Sequence, residues 1–263
     1  MTGRSLYQFD KTCPASIMTT WSFSLGCEGR MLARDTFNKL DEGKKSKILD
    51  AAVDEFSRHG FRQASVNRMV ERIGIAKGSL FQYFGSKEGL FRVIFNYAVE
   101  LVRQSLRQVK RETSSADFFE RIKESMLAGI RFIERHPRVY RIYLKMIFQE
   151  DFPLRTESLQ QVHLFSAEYL LPVVEAGIAR GDIRADTDIK MAVFMLDALM
   201  DRFLQAYCVS FLDAGAGIYE APLEELERKV DEFIKLLRIG MGVEWSTAPG
   251  ESAGQKYVRT TVF

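Results

Sequence analysis

The stretch from Ser65 to Lys87, Ser-Val-Asn-Arg-Met-Val-Glu-Arg-Ile-Gly-Ile-Ala-Lys-Gly-Ser-Leu-Phe-Gln-Tyr-Phe-Gly-Ser-Lys, narrows the possible folds more than any other part of the chain. Ser65 is placed to cap a helix whose Met69, Val70 and Ile73 point one way. Gly74 ends that helix, and a second runs from about Ala76 to Phe84 with Leu80 and Phe84 as its inner side. Helices of two turns do not stand alone in water. This pair therefore requires other helices around it, and its second member presents Gly78, Ser79, Gln82 and Tyr83 outward, with Phe81 at the boundary.

The neighbouring sequence supplies those helices. Ile48, Ala51, Ala52 and Phe56 form one face of a helix from Gly43 to His59-Gly60. Ser86 caps a long helix to about Arg111, with Leu90, Phe91, Ile94, Phe95, Ala98, Leu101 and Val102 as its stripe. The same periodicity predicts helices over 117–136, 137–149, 154–180 with Pro172 as a kink, 186–212 and 223–239. In the last, Glu220, Glu224 and Glu225 precede Lys235 and Arg238, in the sense the helix dipole favours. No strand pattern or internal repeat interrupts this series. The expected fold class is all-α: a three-helix head with a helix-turn-helix, joined by a long helix to a helical C-terminal domain. Residues 1–42 read as a disordered or arm-like extension, with Met31 as an alternative start, and 244–263 as a flexible tail.

Charge points to the partner of the head. The whole chain carries a net +2, but from Lys44 to Arg92 there are 10 Lys+Arg against 5 Asp+Glu, about +5, which favours a polyanion there. In a helix-turn-helix the second helix enters the major groove while the first braces on the backbone. Lys77 and Lys87 then flank the groove-facing helix as phosphate clamps. Tyr83 offers a hydroxyl to a phosphate, and Gly78 lets the backbone come close. Ser65 and the N-terminus of its helix can also meet phosphate. Asn67 and Arg68 are the expected base readers, since Asn with adenine and Arg with guanine form bidentate pairs.

Gly60-Phe61, Ser65-Val66, Gly74-Ile75, Lys77-Gly-Ser-Leu-Phe-Gln-Tyr-Phe84 and Ser86-Lys-Glu-Gly-Leu-Phe91 together resemble the DNA-binding domain of the TetR family of transcriptional regulators, over about Gly43 to Leu101. Beyond that window only the layout of helices is similar. The resemblance implies a homodimer, a DNA-binding head over 43–102, and a C-terminal domain over 103–243 that binds a small effector and dimerises. It implies a double-stranded DNA operator with palindromic halves and, in the usual case, a ligand-responsive repressor. A transcriptional activator, or a helical DNA-binding or interaction protein without an effector, is the alternative. Phe81 departs from the family, which has Tyr there, and so lacks one phosphate-directed hydroxyl.

The C-terminal helices fit that picture. Lys190–Leu212 is apolar over too wide an arc for one contact (Val193, Phe194, Leu196, Leu199, Met200, Phe203, Leu204, Tyr207), so one side is free to meet a partner subunit. With the final helix it would build a four-helix dimer contact through the last two helices. An effector pocket is expected around Val139–Phe148 and Leu159–Tyr169, rich in Phe, Tyr, Met and Leu, which suits a small apolar or amphipathic molecule. Tyr143, His163 and Arg202 are its polar candidates, although His163 fits an ordinary core or surface role at least as well.

Other functions find little footing. There is no Gly-rich phosphate loop, Gly-x-Ser-x-Gly elbow, His-Glu-x-x-His or Cys-x-x-Cys, and His59, His136 and His163 are the only histidines. No catalytic residue, metal or cofactor is expected. Cys13, Cys27 and Cys208 lack metal-ligand spacing and do not suggest a disulfide framework. No uncharged run reaches the roughly 18 residues of a membrane span. Ser24-Leu-Gly-Cys27 lacks the apolar run of an export signal, so a cytoplasmic location without membrane attachment is expected.

Overall fold

The computed structural model describes residues 35–148, 152 and 154–242. Of the arm expected over 1–42, residues 1–34 lie outside the described residues, as does the tail expected over 244–263, whereas 35–42 carry a short helix and the start of the next. Ten α-helices are described: α1 (Asp35–Asn38), α2 (Glu42–Gln63), α3 (Val66–Ile73), α4 (Lys77–Phe84), α5 (Lys87–Glu112), α6 (Phe118–Arg135), α7 (Pro137–Phe148), α8 (Arg155–Arg180), α9 (Ile189–Cys208) and α10 (Leu223–Met241). Among the described residues the only β pairing is a single bridge between Ile183 and Gly242. The chain is all-α.

Helix ends follow local chemistry. Asp41 caps α2 by accepting from the Lys44 N–H at 2.9 Å, and α2 breaks at Gly60, where φ is 67° and ψ −178°. Ser86 Oγ accepts from the Gly89 N–H at 3.0 Å at the start of α5. Asp188 caps α9 through the Met191 N–H at 2.9 Å, just beyond the expected opening at Asp186 or Thr187. The expected long helix to Leu212 stops at Cys208, and a 3-10 turn over Ser210–Leu212 follows. Helix α8 runs continuously through Pro172. By length and apolar composition it alone among the described helices could cross a bilayer, yet its Leu170, Val173 and Val174 lie in a protein core.

Two compact units are present, and they do not follow chain order. The first combines the described residues up to Ser105 with Phe132–Val162; the second combines Leu106–Arg131 with the described residues from His163 onward. The core of the first is built on Ile48, Phe56, Met69, Leu80, Leu90 and Phe91, with Phe91 edge-on to Phe56 at 5.3 Å. Ile142 and Met146 of α7 share that core. Helix α7 therefore packs with the head, whereas the family resemblance implies a C-terminal domain over 103–243 that includes it. The head also starts before Gly43: α1 buries Phe37 against Phe84 at 4.8 Å. The second unit is organised around Phe118, Ile122, Met126, Ile130, Val174, Leu196, Leu226 and Val230.

The turn between α3 and α4 shows how tightly local sequence sets the head. Gly74 is left-handed (φ 76°, ψ 38°) and its N–H returns to the Val70 carbonyl at 2.9 Å. A Cβ there would meet nothing within 4 Å, so substitution strains the backbone alone. Gly74→Ala is expected to cost about 1–2 kcal/mol and Gly74→Asn clearly less, measured by denaturant unfolding.

Candidate nucleic-acid interface

Helix α4 has an inner and an outer side set by its own residues. Leu80, Tyr83 and Phe84 are buried; Lys77, Gly78, Phe81 and Gln82 are exposed and Ser79 is half-buried. Its N-cap is Ala76, which makes no side-chain cap hydrogen bond. The Ser79 N–H returns to the Ala76 carbonyl at 3.0 Å, which leaves the N–H groups of Lys77 and Gly78 for a partner outside the helix. A Cβ on Gly78 would meet nothing within 4 Å, so another chain could approach the backbone there.

Tyr83 differs from its sequence assignment. The wheel of an isolated helix turned it outward, but its ring is only 8% exposed and packs near Phe37 at 6.1 Å. The cause is α1, whose covering role no periodicity within α4 could reveal. Phe81, placed at the boundary, is exposed instead.

Helix α3 carries the other candidates. Ser65 is half-buried at the N-cap, its hydroxyl accepting from the Arg68 N–H at 3.4 Å. Asn67 is exposed. Arg68 is exposed too, but its guanidinium is engaged: Nε donates to Glu55 Oε1 at 2.9 Å and Oε2 at 3.2 Å, and Nη2 bonds both Oε1 and the Gln63 carbonyl, the latter at 2.9 Å. Glu55 also accepts the Ser65 N–H at 2.8 Å. Burial pushes the Glu55 carboxyl upward, but its bonds from Arg68 and Ser65 outweigh this and hold it below the usual range.

One turn further along α3 the pairing repeats with the neighbouring acid of α2. Arg72 of α3 binds Asp54 of α2, and Asp54 also receives Arg58 Nε at 3.0 Å and lies 3.6 Å from Arg138 Nη1 of α7. Arg138 Nη2 donates to Asp50 at 2.7 Å. Asp54 is likewise depressed: burial opposes ionisation, and the bond from Arg58 with the charges of Arg72 and Arg58 prevail. These acids were not expected to matter. Asp54-Glu55 beside Arg68 and Arg72 at i, i+4 was the available signal, but pairs 13 and 18 residues apart depend on how two helices cross.

Lys87 reaches back from the start of α5. Its Nζ donates to the carbonyls of Ala64 at 3.0 Å and Arg62 at 3.2 Å and sits 4.7 Å over the Phe61 ring. An ammonium has three donors, so one remains for a phosphate. Burial lowers its pKa, with the Glu55 charge acting the other way.

The effector candidates do not form one group within either unit. Tyr143 belongs to the first unit, half-buried beside Tyr140 at 5.6 Å. His163 and Arg202 belong to the second and are exposed, with His163 Nδ1 2.8 Å from Asp197 Oδ2. Asp201, on the same helix as Asp197, accepts from Gln205 at 2.6 Å. Among the described residues no cluster of three or more His, Cys, Asp or Glu is arranged to hold a metal ion.

Two short crossed helices with an exposed, uncapped and cationic leading end define a helix-turn-helix protein of the DNA-binding class. Residues 48–94 match the model for the bacterial regulatory proteins of the tetR family, and 116–242 match that of the tetracyclin repressor-like C-terminal domain. The chain belongs to the TetR family of transcriptional regulators. A TetR family regulator from Chloroflexus aurantiacus is 29% identical with a TM-score of 0.58, covering 81% of this chain and 99% of that one. The transcriptional repressor KstR2 of Rhodococcus jostii is 25% identical over 161 residues, 61% of this chain and 76% of its own. The FadR structure from Bacillus subtilis, solved with stearoyl-CoA, shares the fold at 18% identity and a TM-score of 0.58, covering 72% and 96%.

Proposed function

We propose that this regulator is a ligand-responsive repressor that binds a palindromic operator as a homodimer in the cytoplasm, and that it is not an enzyme. The observation that carries the DNA reading is the outer side of α4, where Lys77, Gly78, Ser79 and Gln82 surround the leading N–H groups of Lys77 and Gly78, suited to phosphate and base edges. Ser65, Lys77 and the third donor of Lys87 contact phosphate, while Asn67 and Gln82 face the bases. Tyr83 contributes by packing, which sets the position of α4.

Dimerisation is supported by the second unit. Helix α9 leaves Met191, Phe194, Met195, Ala198 and Leu199 exposed at i, i+3, i+4, i+7 and i+8, although its other side is buried. Leu236 and Ile239 of α10 are 69% and 72% exposed. Large apolar side chains exposed along one side of a helix whose other side is buried suit an interaction site. A two-fold dimer is also what half-sites one helical turn apart require.

The effector is a small apolar or amphipathic molecule, for which Tyr143, His163 and Arg202 stay the polar candidates. The amphipathic acyl thioester in FadR is of that class. Its binding shifts a two-state equilibrium in the spacing of the heads.

The test is selection of sites from a random DNA pool, repeated with metabolite extracts. A palindrome should emerge, and log affinity should fall linearly with log salt at a slope of roughly −0.9 per phosphate contacted. Lys87→Ala should weaken all sequences alike and reduce that slope by about 1. Absence of any sequence enrichment overturns the DNA reading; enrichment that no extract relieves overturns the ligand response alone.

A further inference from the structure

Arginine reads guanine through two adjacent donors that meet O6 and N7 together. In this protein Nε and Nη2 of Arg68 already meet Glu55, and Nη2 also meets the Gln63 carbonyl. Glu55 is itself 10% exposed at its side chain and tied to the Ser65 N–H, so it is fixed before Arg68 arrives. Releasing Arg68 would strand a desolvated carboxylate, which is costly. Intact, the pair ties α2 to the first turn of α3, the turn that carries Asn67 and the Ser65 cap.

We infer that Glu55 is a specificity-determining residue that acts without touching DNA: it withdraws Arg68 from base reading and makes it a positioning residue for the leading end of α3. The inference rests on the DNA reading above. Base discrimination on this helix then falls to Asn67, whose side chain stands on the exposed side of the same turn.

Site selection on the full-length protein, with wild type, Arg68→Met, Arg68→Lys and Glu55→Gln in parallel, tests it. Arg68→Met should lower affinity for every sequence by one common factor, with base preferences at all positions unchanged. Arg68→Lys, which can still pair with Glu55, should recover most of that loss. In Glu55→Gln the freed arginine should add a new preference for guanine at one position per half-site, about 5-fold or more. If Arg68→Met relaxes preference at a single position, Arg68 is a base reader and the inference is wrong. It is equally wrong if a folded Glu55→Gln selects the same sites as wild type. Thermal melting checks that Glu55→Gln is folded, and the Arg68→Met profile decides the matter if it is not. A wild-type protein that enriches nothing overturns the DNA reading and this inference with it, an outcome distinct from the two just given.

Discussion

Replacing both Phe194 and Ile239 with Asp should leave a folded monomer whose operator affinity is reduced at least about 100-fold. Phe194 is 66% exposed and Ile239 72%, so neither substitution disturbs the core of its own subunit. In the proposed dimer each would bury a carboxylate against apolar surface with no cation to meet it, which opposes association strongly. Once the heads are separate, the second half-site is no longer bound intramolecularly, and the loss follows the roughly 10²–10⁴ that linkage contributes. Sedimentation gives the mass, an operator binding assay the affinity, and circular dichroism the fold. A variant that remains dimeric with undiminished affinity places the subunit contact elsewhere.

The largest effect on stability is expected at Asp54. Its side chain is 9% exposed and faces Arg58, Arg72 and Arg138, so Asp54→Ala leaves three cations around a vacated centre. Breaking a fully buried pair costs about 3–5 kcal/mol. Here the arginines are 28–63% exposed, which screens the loss, and roughly 2–3 kcal/mol is expected from denaturant unfolding. Because Arg72 lies on α3 and Arg138 on α7, operator affinity should fall as well. The same carboxylates produce a pH dependence. Asp54 and Glu55 are depressed below ordinary values of 3.8 and 4.5, so the unfolded chain binds more protons than the folded one at low pH. Their contribution is complete above about pH 4.5 and is lost as pH falls through the depressed folded values. Asp54→Ala should flatten part of that acid limb. An unchanged acid limb would show that the cluster adds nothing to folding.

Much of the head could be read in one dimension because its signals are local. A left-handed residue at Gly74, caps at Ser65 and Ser86, and an apolar pair at Leu80 and Phe84 each depend on a few neighbouring residues. The same holds for the broad apolar arc of α9, whose outer half is exposed in the subunit. The effector candidates rest on a weaker signal. Tyr143, His163 and Arg202 are named by composition, which contains no information about convergence; Tyr143 belongs to the first unit, His163 and Arg202 to the second.

The sequence alone determined that this protein is all-α, where its short helices turn, and which segment carries cationic side chains toward a polyanion. Those features follow from backbone sterics and a 3.6-residue period, which act over a few residues. Only the tertiary structure decided that Phe37 buries Tyr83, that α7 completes the core of the head, and that Glu55 holds Arg68 while Asp54 holds Arg72. Each of these is a contact between different helices. Periodicity shows that a helix has an apolar or charged side; the angle at which helices cross determines what that side will meet.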